Sequence, residues 1–222
     1  MNRIKRKQKV QQEVSGIDVS RHQGTIDWAQ VRQAGTRFAF AKATEGSSWN
    51  DPKFVENRSG AAKNGVAFGA YHFFRPRADV GLQIKNFVSA VGSLRSGELP
   101  PVLDVEVPAP WQRYSGKKRV ELITTWMNGV ESALGVKPIL YLSPSFAKDT
   151  LGSAAELSAY PLWIAHYTSR SQPTVPAPWS GLSPDWTFWQ YTERGKVAGV
   201  AGYVDRDRFF GDEVALSRLL VE

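Results

Sequence analysis

The chain has 222 residues, of which 42% are hydrophobic and 22% charged, so it fits one large folded domain better than two small ones. It contains no cysteine, which excludes disulfides, thiolate chemistry and cysteine-based zinc sites. The formal charge is +7, but five basic residues and no acid lie within the first ten positions. Without them, 23 of the 28 basic residues remain against 21 acidic ones, so the body is nearly neutral. We therefore predict a basic disordered tail at residues 1–14, one domain at residues 15–222, and no specific nucleic-acid binding.

Strand and helix patterns alternate along the chain. The predicted strands are residues 16–19, 37–43, 67–74, 102–107, 139–142, 161–167, 186–191 and a short one from 204. The predicted helices are residues 28–34, 52–64, 80–94, 118–134 and 212–221. Asp27 is predicted to cap the first helix, and Gly65 and Gly135 to end the second and fourth.

Alternating strands and helices predict an α/β fold with a parallel sheet covered by helices. The apolar run from Phe38 to Ala41 suits a strand that is buried on both faces. About eight strands favour a closed TIM-like barrel over a doubly wound open sheet, which is the alternative. The last three strands leave little room for helices between them, so the barrel is expected to be irregular.

Asp104 and Glu106 stand two positions apart in a predicted strand with apolar neighbours. Because side chains alternate along a strand, both carboxyls are expected on one face. The apolar neighbours Val105 and Val107 argue against the alternative that the two acids lie without a function on a solvent-exposed edge strand. Two adjacent carboxylates cannot both ionise freely, so one keeps a proton near neutral pH, as cleavage of a glycosidic bond requires. The spacing does not distinguish retention from inversion.

Two further acids are expected at the same end of the barrel. Asp18 lies near the end of the first strand and Asp205 near the end of the last, and these strands are neighbours in a closed barrel. Active sites of such barrels gather at the carboxyl ends of the strands. Other polar or aromatic strand residues could line a sugar-binding wall or belong to the core: Lys42, Tyr71, Tyr141, Trp163, Gln190 and Tyr191.

The three histidines, His22, His72 and His166, do not have the spacing of metal ligands. We interpret them as local hydrogen-bonding residues and expect no metal and no cofactor. Lys42 is expected to have a carboxylate nearby, because a buried ammonium needs a partner.

Six segments, in order, resemble the motifs of glycoside hydrolase family 25, the Chalaropsis-type lysozymes. They are residues 18–28 (DVSRHQGTIDW), 42–46 (KATEG), 69–73 (GAYHF), 101–106 (PVLDVE), 188–192 (FWQYT) and 202–205 (GYVD). The resemblance covers nearly the whole predicted domain. It implies an irregular barrel of five β/α units followed by three strands.

The resemblance also implies an N-acetylmuramidase acting on peptidoglycan glycan strands at the β-1,4 bond between N-acetylmuramic acid and N-acetylglucosamine. Glu106 is then the general acid, and Asp104 assists a neighbouring-group mechanism or, as the lesser alternative, acts as nucleophile. Asp18 and Asp205 are the remaining pocket acids. Asp207 departs from the family, whose members often carry Asn there. A catalytically silent wall-binding module on the same barrel is the alternative function.

We expect a monomer without a transmembrane segment. The basic start is followed by Lys9-Val10-Gln11-Gln12-Glu13 rather than an apolar run, so we predict no Sec signal in the chain as given. The expected location is extracellular, periplasmic or at the cell wall, or the host cytoplasm from which a phage endolysin is released.

Overall fold

The structure is a computed structural model that describes residues 13–152 and 154–222. Most of the predicted basic tail, residues 1–12, lies outside the described residues. The described strands are β1 (Val14–Val19), β2 (Phe38–Glu45), β3 (Trp49–Asn50), β4 (Ala67–Phe73), β5 (Val102–Asp104), β6 (Ile139–Leu142), β7 (Leu162–Ala165), β8 (Phe188–Gly195) and β9 (Val204–Phe209). The helices are α1 (Trp28–Gln33), α2 (Phe54–Lys63), α3 (Val80–Val91), α4 (Gly116–Leu134), α5 (Pro144–Phe146) and α6 (Glu213–Ser217).

The sheet closes on itself. Its strand order is β1-β9-β8-β7-β6-β5-β4-β2-β3, and β1 also pairs with β2, which makes an eight-stranded barrel with β3 as a short addition to β2. This closure rules out the open sheet. Strands β1, β2 and β4 to β8 run parallel, whereas β9 is antiparallel to both of its neighbours. The prediction of an irregular barrel with five β/α units and three further strands is confirmed.

Helix ends follow the local chemistry of the sequence. Oδ1 of Asp27 accepts a hydrogen bond from the backbone N–H of Gln30 at 3.0 Å, which confirms the predicted cap of α1. Gly135 ends α4 with a φ of 73°, in the left-handed region that glycine adopts readily.

The last helix is shorter than predicted. Helix α6 ends at Ser217, and the chain after it forms backbone hydrogen bonds with the segment before β5. There the N–H of Val221 donates to the carbonyl of Glu98 at 2.8 Å, and the N–H of Gly97 donates to the carbonyl of Val221 at 2.9 Å.

The strand predicted at residues 102–107 is also shorter, and the prediction that Glu106 lies within it was wrong. Strand β5 ends at Asp104, although the N–H of Val105 still donates to the carbonyl of Tyr141 at 3.0 Å. Val107 has a φ of 57°, which a β-branched residue rarely adopts, and its side chain is 44% exposed. The chain therefore turns out of the sheet immediately after Glu106.

Alternation along the strands separates two hydrophobic layers. In β2, Ala39 and Ala41 face the helices, whereas Phe38 and Phe40 face the barrel interior. All four are fully buried, as predicted for a strand covered on both faces. The ring of Phe40 stacks on Trp163 at a centroid distance of 4.4 Å.

Glycines make room for these rings. A Cβ on Gly16 would lie 2.2 Å from the ring of Phe38, and one on Gly69 would lie 2.5 Å from the ring of Phe40. Aromatic side chains therefore fill the barrel interior toward the amino ends of the parallel strands, and polar residues occupy the interior at their carboxyl ends.

Among the described residues, none of the helices has the length and apolarity that crossing a bilayer requires.

Candidate active site

A pocket of about 290 Å³ opens above the aromatic layer, at the carboxyl ends of the parallel strands. Nine of the ten residues predicted for the pocket line it: Asp18, Lys42, Tyr71, Asp104, Glu106, Tyr141, Trp163, Gln190 and Asp205. The tenth, Tyr191, does not line it, because side chains alternate along β8 and Tyr191 packs against the hydrophobic layer outside the barrel. Sequence reasoning did not select six other lining residues: Val19, Ser20, His22, Gln23, Phe73 and Tyr167.

Strand alternation explains why the selected residues meet. Lys42 stands two positions after Phe40, and Asp104 two after Val102, so each lies on the inner face directly above a core residue. Phe73 and Asp104 are register partners, as are Asp104 and Tyr141, which brings three neighbouring strands together at one level.

Asp205 also lies at this level of the barrel, but its position within its strand differs from the predicted one. It lies near the beginning of β9 rather than near its end. Because β9 is antiparallel to β1, its beginning lies at the carboxyl end of the barrel, where Asp205 is the register partner of Asp18. Burial raises the pKa of Asp205 to about 6, and the charge of Glu193 adds to the effect.

Asp104 is the deeper member of the carboxyl pair. Its residue is only 6% exposed, and its Oδ1 has no hydrogen-bond donor among the described residues. Burial and the adjacent charge of Glu106 raise the pKa of Asp104 well above its usual range. A buried acceptor without a donor is costly, so Asp104 is prepared for a donor that arrives from outside.

Glu106 is the outer member of the pair and is exposed to solvent at the pocket mouth. Partial burial of its carboxyl raises its pKa, and the positive charges of Lys42 and Arg75 oppose that shift. Glu106 therefore combines access to a ligand with an increased tendency to hold a proton. The protons of such a pair come off in steps that belong to both groups together.

Lys42 has the carboxylate partner expected of it, and that partner is Glu45. Nζ of Lys42 lies 2.5 Å from Oε2 of Glu45, and Arg75 binds the other oxygen of the same carboxylate. The ammonium also lies 4.6 Å from the ring centroid of Phe73. Two cations are thereby held beside Glu106.

A hydrogen-bond network fixes the opposite wall. Nε2 of Gln190 donates to Oδ2 of Asp18 at 2.7 Å. Oε1 of Gln190 accepts from the hydroxyl of Tyr141 at 2.9 Å and from that of Tyr167 at 2.8 Å. Tyr167 lies beyond the end of β7, and the sequence carries no signal for it other than an aromatic residue near a strand end.

Asp207 lies beneath this network and is fully buried. Its Oδ1 accepts a hydrogen bond from Nε1 of Trp163 at 2.9 Å, so it holds a ring of the pocket wall. Burial raises the pKa of Asp207 well above its usual range, with a further contribution from Asp205. Among the described residues its Oδ2 has no hydrogen-bond partner, and the charge of Asp207 contributes to raising the pKa of Asp18. Because side chains alternate along a strand, Asp207 could have been predicted from the sequence to lie on the same inner face as Asp205, two residues earlier.

We expect Asp207→Asn to stabilise the fold at neutral pH by on the order of 1 kcal/mol, because Asn still accepts from Trp163 and cannot ionise. Because the pKa of Asp207 is higher in the folded than in the unfolded protein, protonation of this carboxyl stabilises the fold. The stabilisation is complete below the ordinary pKa of about 3.9 and is lost as the pH rises through the pKa of the folded protein. Thermal unfolding at pH 5 and pH 8 measures this. Identical pH dependence in the two proteins would contradict it.

Of the histidines, His72 and His166 make local hydrogen bonds outside the pocket. Nδ1 of His72 lies 2.7 Å from the hydroxyl of Thr44, and burial lowers the pKa of this imidazole to about 4. Nδ1 of His166 accepts from the N–H of Thr174 at 2.9 Å. His22 lies at the pocket rim.

Comparison with known proteins places the chain in a family. The model of glycosyl hydrolases family 25 matches residues 17–200. Lysozyme M1 of Streptomyces globisporus is 38% identical over 214 residues, which cover 93% of this chain and 71% of the relative. The N,O-diacetylmuramidase of Chalaropsis sp is 30% identical, over 86% of this chain and 94% of the relative.

The fold agrees with that assignment. The crystal structure of the bacterial lysozyme from Streptomyces coelicolor matches with a TM-score of 0.87 and 38% identity, covering 93% of this chain and 96% of that one. The predicted family is confirmed: the chain belongs to glycosyl hydrolase family 25 and is a glycoside hydrolase.

Proposed function

We propose that the protein is a lysozyme that cleaves the β-1,4 bond between N-acetylmuramic acid and N-acetylglucosamine in peptidoglycan. The observation that carries this proposal is the division of the carboxyl pair. Asp104 is buried with an oxygen that has no donor in the part of the chain that the structure describes, and the accessible Glu106 stands above it. The names of the relatives, lysozyme and N,O-diacetylmuramidase, support the same substrate.

Glu106 is the proposed general acid. Its raised pKa favours the protonated form that must donate to the leaving glycosidic oxygen. Asp104 lies deeper in the pocket, and the exposed Glu106 has the better access to that oxygen, which supports Glu106 as the proton donor.

Asp104 is proposed to act on the 2-acetamido group of the sugar. Its unpartnered Oδ1 would accept a hydrogen bond from the acetamido N–H. The acetamido carbonyl oxygen then bonds to the anomeric carbon as the glycosidic bond breaks, and the proton of Glu106 passes to the leaving oxygen. Water next attacks the anomeric carbon from the opposite side, which breaks the bond between that carbon and the acetamido oxygen and regenerates the acetamido group. The water gives a proton to Glu106, which restores the acid, and the two displacements together retain the anomeric configuration.

The remaining pocket residues suit a sugar. Burial, with nearby carboxylates adding to it, raises the pKa of Tyr71 and Tyr141 well above the usual range, so both phenols stay protonated and can donate. Trp163 offers an apolar surface at the base. A volume of about 290 Å³ lies near the lower end of the range for small-ligand pockets, about 300–1,000 Å³.

A catalytically silent wall-binding module is the alternative. The four acids in one pocket, each with a pKa raised by burial, are unnecessary for binding a neutral glycan. We therefore favour the enzyme. Its proposed partner is the glycan strand, it is proposed to act as a monomer, and its place of action is the cell wall, reached from outside the cell or by release of a phage endolysin.

Purified peptidoglycan tests the proposal. We expect the protein to lower the turbidity of the suspension and to release reducing ends, and proton NMR of a soluble oligosaccharide should show the β-anomer first. Binding without release of reducing ends would favour the silent module, and an initial α-anomer would overturn the retaining route.

The rate should fall as the pH rises through the raised pKa of Glu106, because only its protonated form can act as the acid. Lys42 opposes the shift, so Lys42→Met should move this alkaline limb to higher pH. The pH profile of kcat/KM on a soluble glycan measures the movement. Lys148→Met, an exposed change outside the pocket, is the matched control, and a Lys42→Met limb that stays or moves to lower pH would count against this role.

A further inference from the structure

A second cavity, which we call the side pocket, adjoins the active-site pocket. It also measures about 290 Å³ and shares His22 and Lys42 with the active-site pocket. Arg21, Glu45, Trp49, Asp51 and Arg75 also line the side pocket. A glycan that occupies the active-site pocket would therefore present its substituents to the side pocket.

The two acids of the side pocket already have partners. Glu45 is bound by Lys42 and Arg75. Oδ2 of Asp51 accepts from the backbone N–H of Arg21 at 3.0 Å. The two carboxylates therefore partly neutralise the cations of the side pocket, and both already have partners within the protein.

Arg21 supplies the free charge. Its side chain is exposed, and among residues 13–152 and 154–222 no carboxylate lies within 4 Å of its guanidinium. The guanidinium lies over the ring of Trp49, 5.4 Å from its centroid, and the ammonium of Lys42 lies 5.1 Å from the same centroid. Stacking on an aromatic ring orients a guanidinium and leaves its N–H groups available for a carboxylate.

The backbone beneath Arg21 is fixed as well. Ser20 and Gln23 form a reciprocal capping box around the turn that carries Arg21, and Asp51 ties that turn to the segment after β3. Trp49 lies on β3. The cation and its aromatic support are therefore held in place before any ligand binds.

We propose that the side pocket binds a carboxylate of the peptide that peptidoglycan carries on its muramic acid residues. This inference rests on the proposed function. The glycan backbone sugars are neutral when the peptide is attached, whereas the peptides bear free carboxylates, the group that an arginine fork binds best. A sugar stacked on Trp49 is less suitable because Arg21 and Lys42 occupy positions over that ring. The side pocket would select walls whose peptides are charged.

The test uses one purified peptidoglycan, free of other anionic polymers, in two forms: untreated, and with its peptide carboxylates converted to amides by a carbodiimide and ammonia. Initial release of reducing ends at subsaturating substrate gives the relative kcat/KM. We expect Arg21→Gln to lower the rate on untreated wall about fivefold and to leave the rate on amidated wall within about 1.5-fold of the unaltered protein's rate. The unaltered protein should prefer untreated wall by a similar factor.

Arg95→Gln is the matched control, because Arg95 lines a pocket at the opposite end of the barrel, and it should change neither rate. Equal losses for Arg21→Gln on both walls, or no loss on either, would overturn the side-pocket inference while leaving the hydrolase intact. Absence of reducing ends from both walls with the unaltered protein would instead be a failure of the proposed function.

Discussion

Replacing Glu106 with Gln should lower the release of reducing ends from peptidoglycan by about 10²- to 10⁴-fold. The amide keeps the size of the side chain and its place at the mouth of the pocket but has no acidic proton for the leaving oxygen. Since Glu106 is exposed and carries no structural ion pair among the described residues, the fold should be unaffected. Initial rates with purified walls, together with circular dichroism during heating, measure both parts.

Glu156→Gln is the matched control, because Glu156 is an exposed acid that does not line the active-site pocket. It should have the activity and thermal stability of the unaltered protein. Full activity in Glu106→Gln would remove Glu106 from the role of acid. A substrate with a better leaving group needs less help from an acid, so the folded Glu106→Gln should recover much of its rate on that substrate; no recovery would count against the acid assignment.

Replacing Asp104 with Asn should lower the rate by about 10²- to 10³-fold, the usual cost of removing one group that is aimed at developing charge. Asn keeps the shape but cannot carry the negative charge that Asp104 is proposed to carry once the acetamido N–H and the developing cationic ring have lowered its raised pKa. The folded protein should become more stable at neutral pH, because a buried carboxyl whose ionisation is costly is replaced by an amide that cannot ionise. Opposite changes in activity and stability are expected of a residue selected for chemistry.

N-deacetylated glycan separates the two roles that the sequence left open for Asp104. If the acetamido group forms the bond to the anomeric carbon, the unaltered protein should barely cleave the deacetylated glycan. If Asp104 is itself the nucleophile, cleavage should persist and a covalent sugar on Asp104 should be detectable by mass spectrometry. That second result would contradict the proposed neighbouring-group mechanism.

Strand periodicity made most of the pocket predictable. A period of two puts Asp104 above Val102 and Lys42 above Phe40 on the inner face, and closure of the barrel brings distant strands to one mouth. Neither step requires a precise strand boundary. Glu106 therefore lies in the pocket even though β5 ends before it.

What the sequence could not predict depends on backbone turns and long-range partners. No local sequence pattern predicts the left-handed backbone conformation of Val107, at which the chain turns out of the barrel. The antiparallel direction of β9, which sets the position of Asp205, arises from the packing of the whole sheet. The contact of Asp207 with Trp163 joins two strands far apart in the chain, and only the folded barrel brings them together.

End-group analysis of the products tests the central claim most directly. Purified peptidoglycan would be digested, the new reducing ends reduced with borohydride, and the resulting sugar alcohols identified by mass spectrometry. We expect the alcohol of N-acetylmuramic acid at the new ends, formed by the unaltered protein and by Glu156→Gln but not by Glu106→Gln. The alcohol of N-acetylglucosamine at those ends, or no new ends at all, would contradict it.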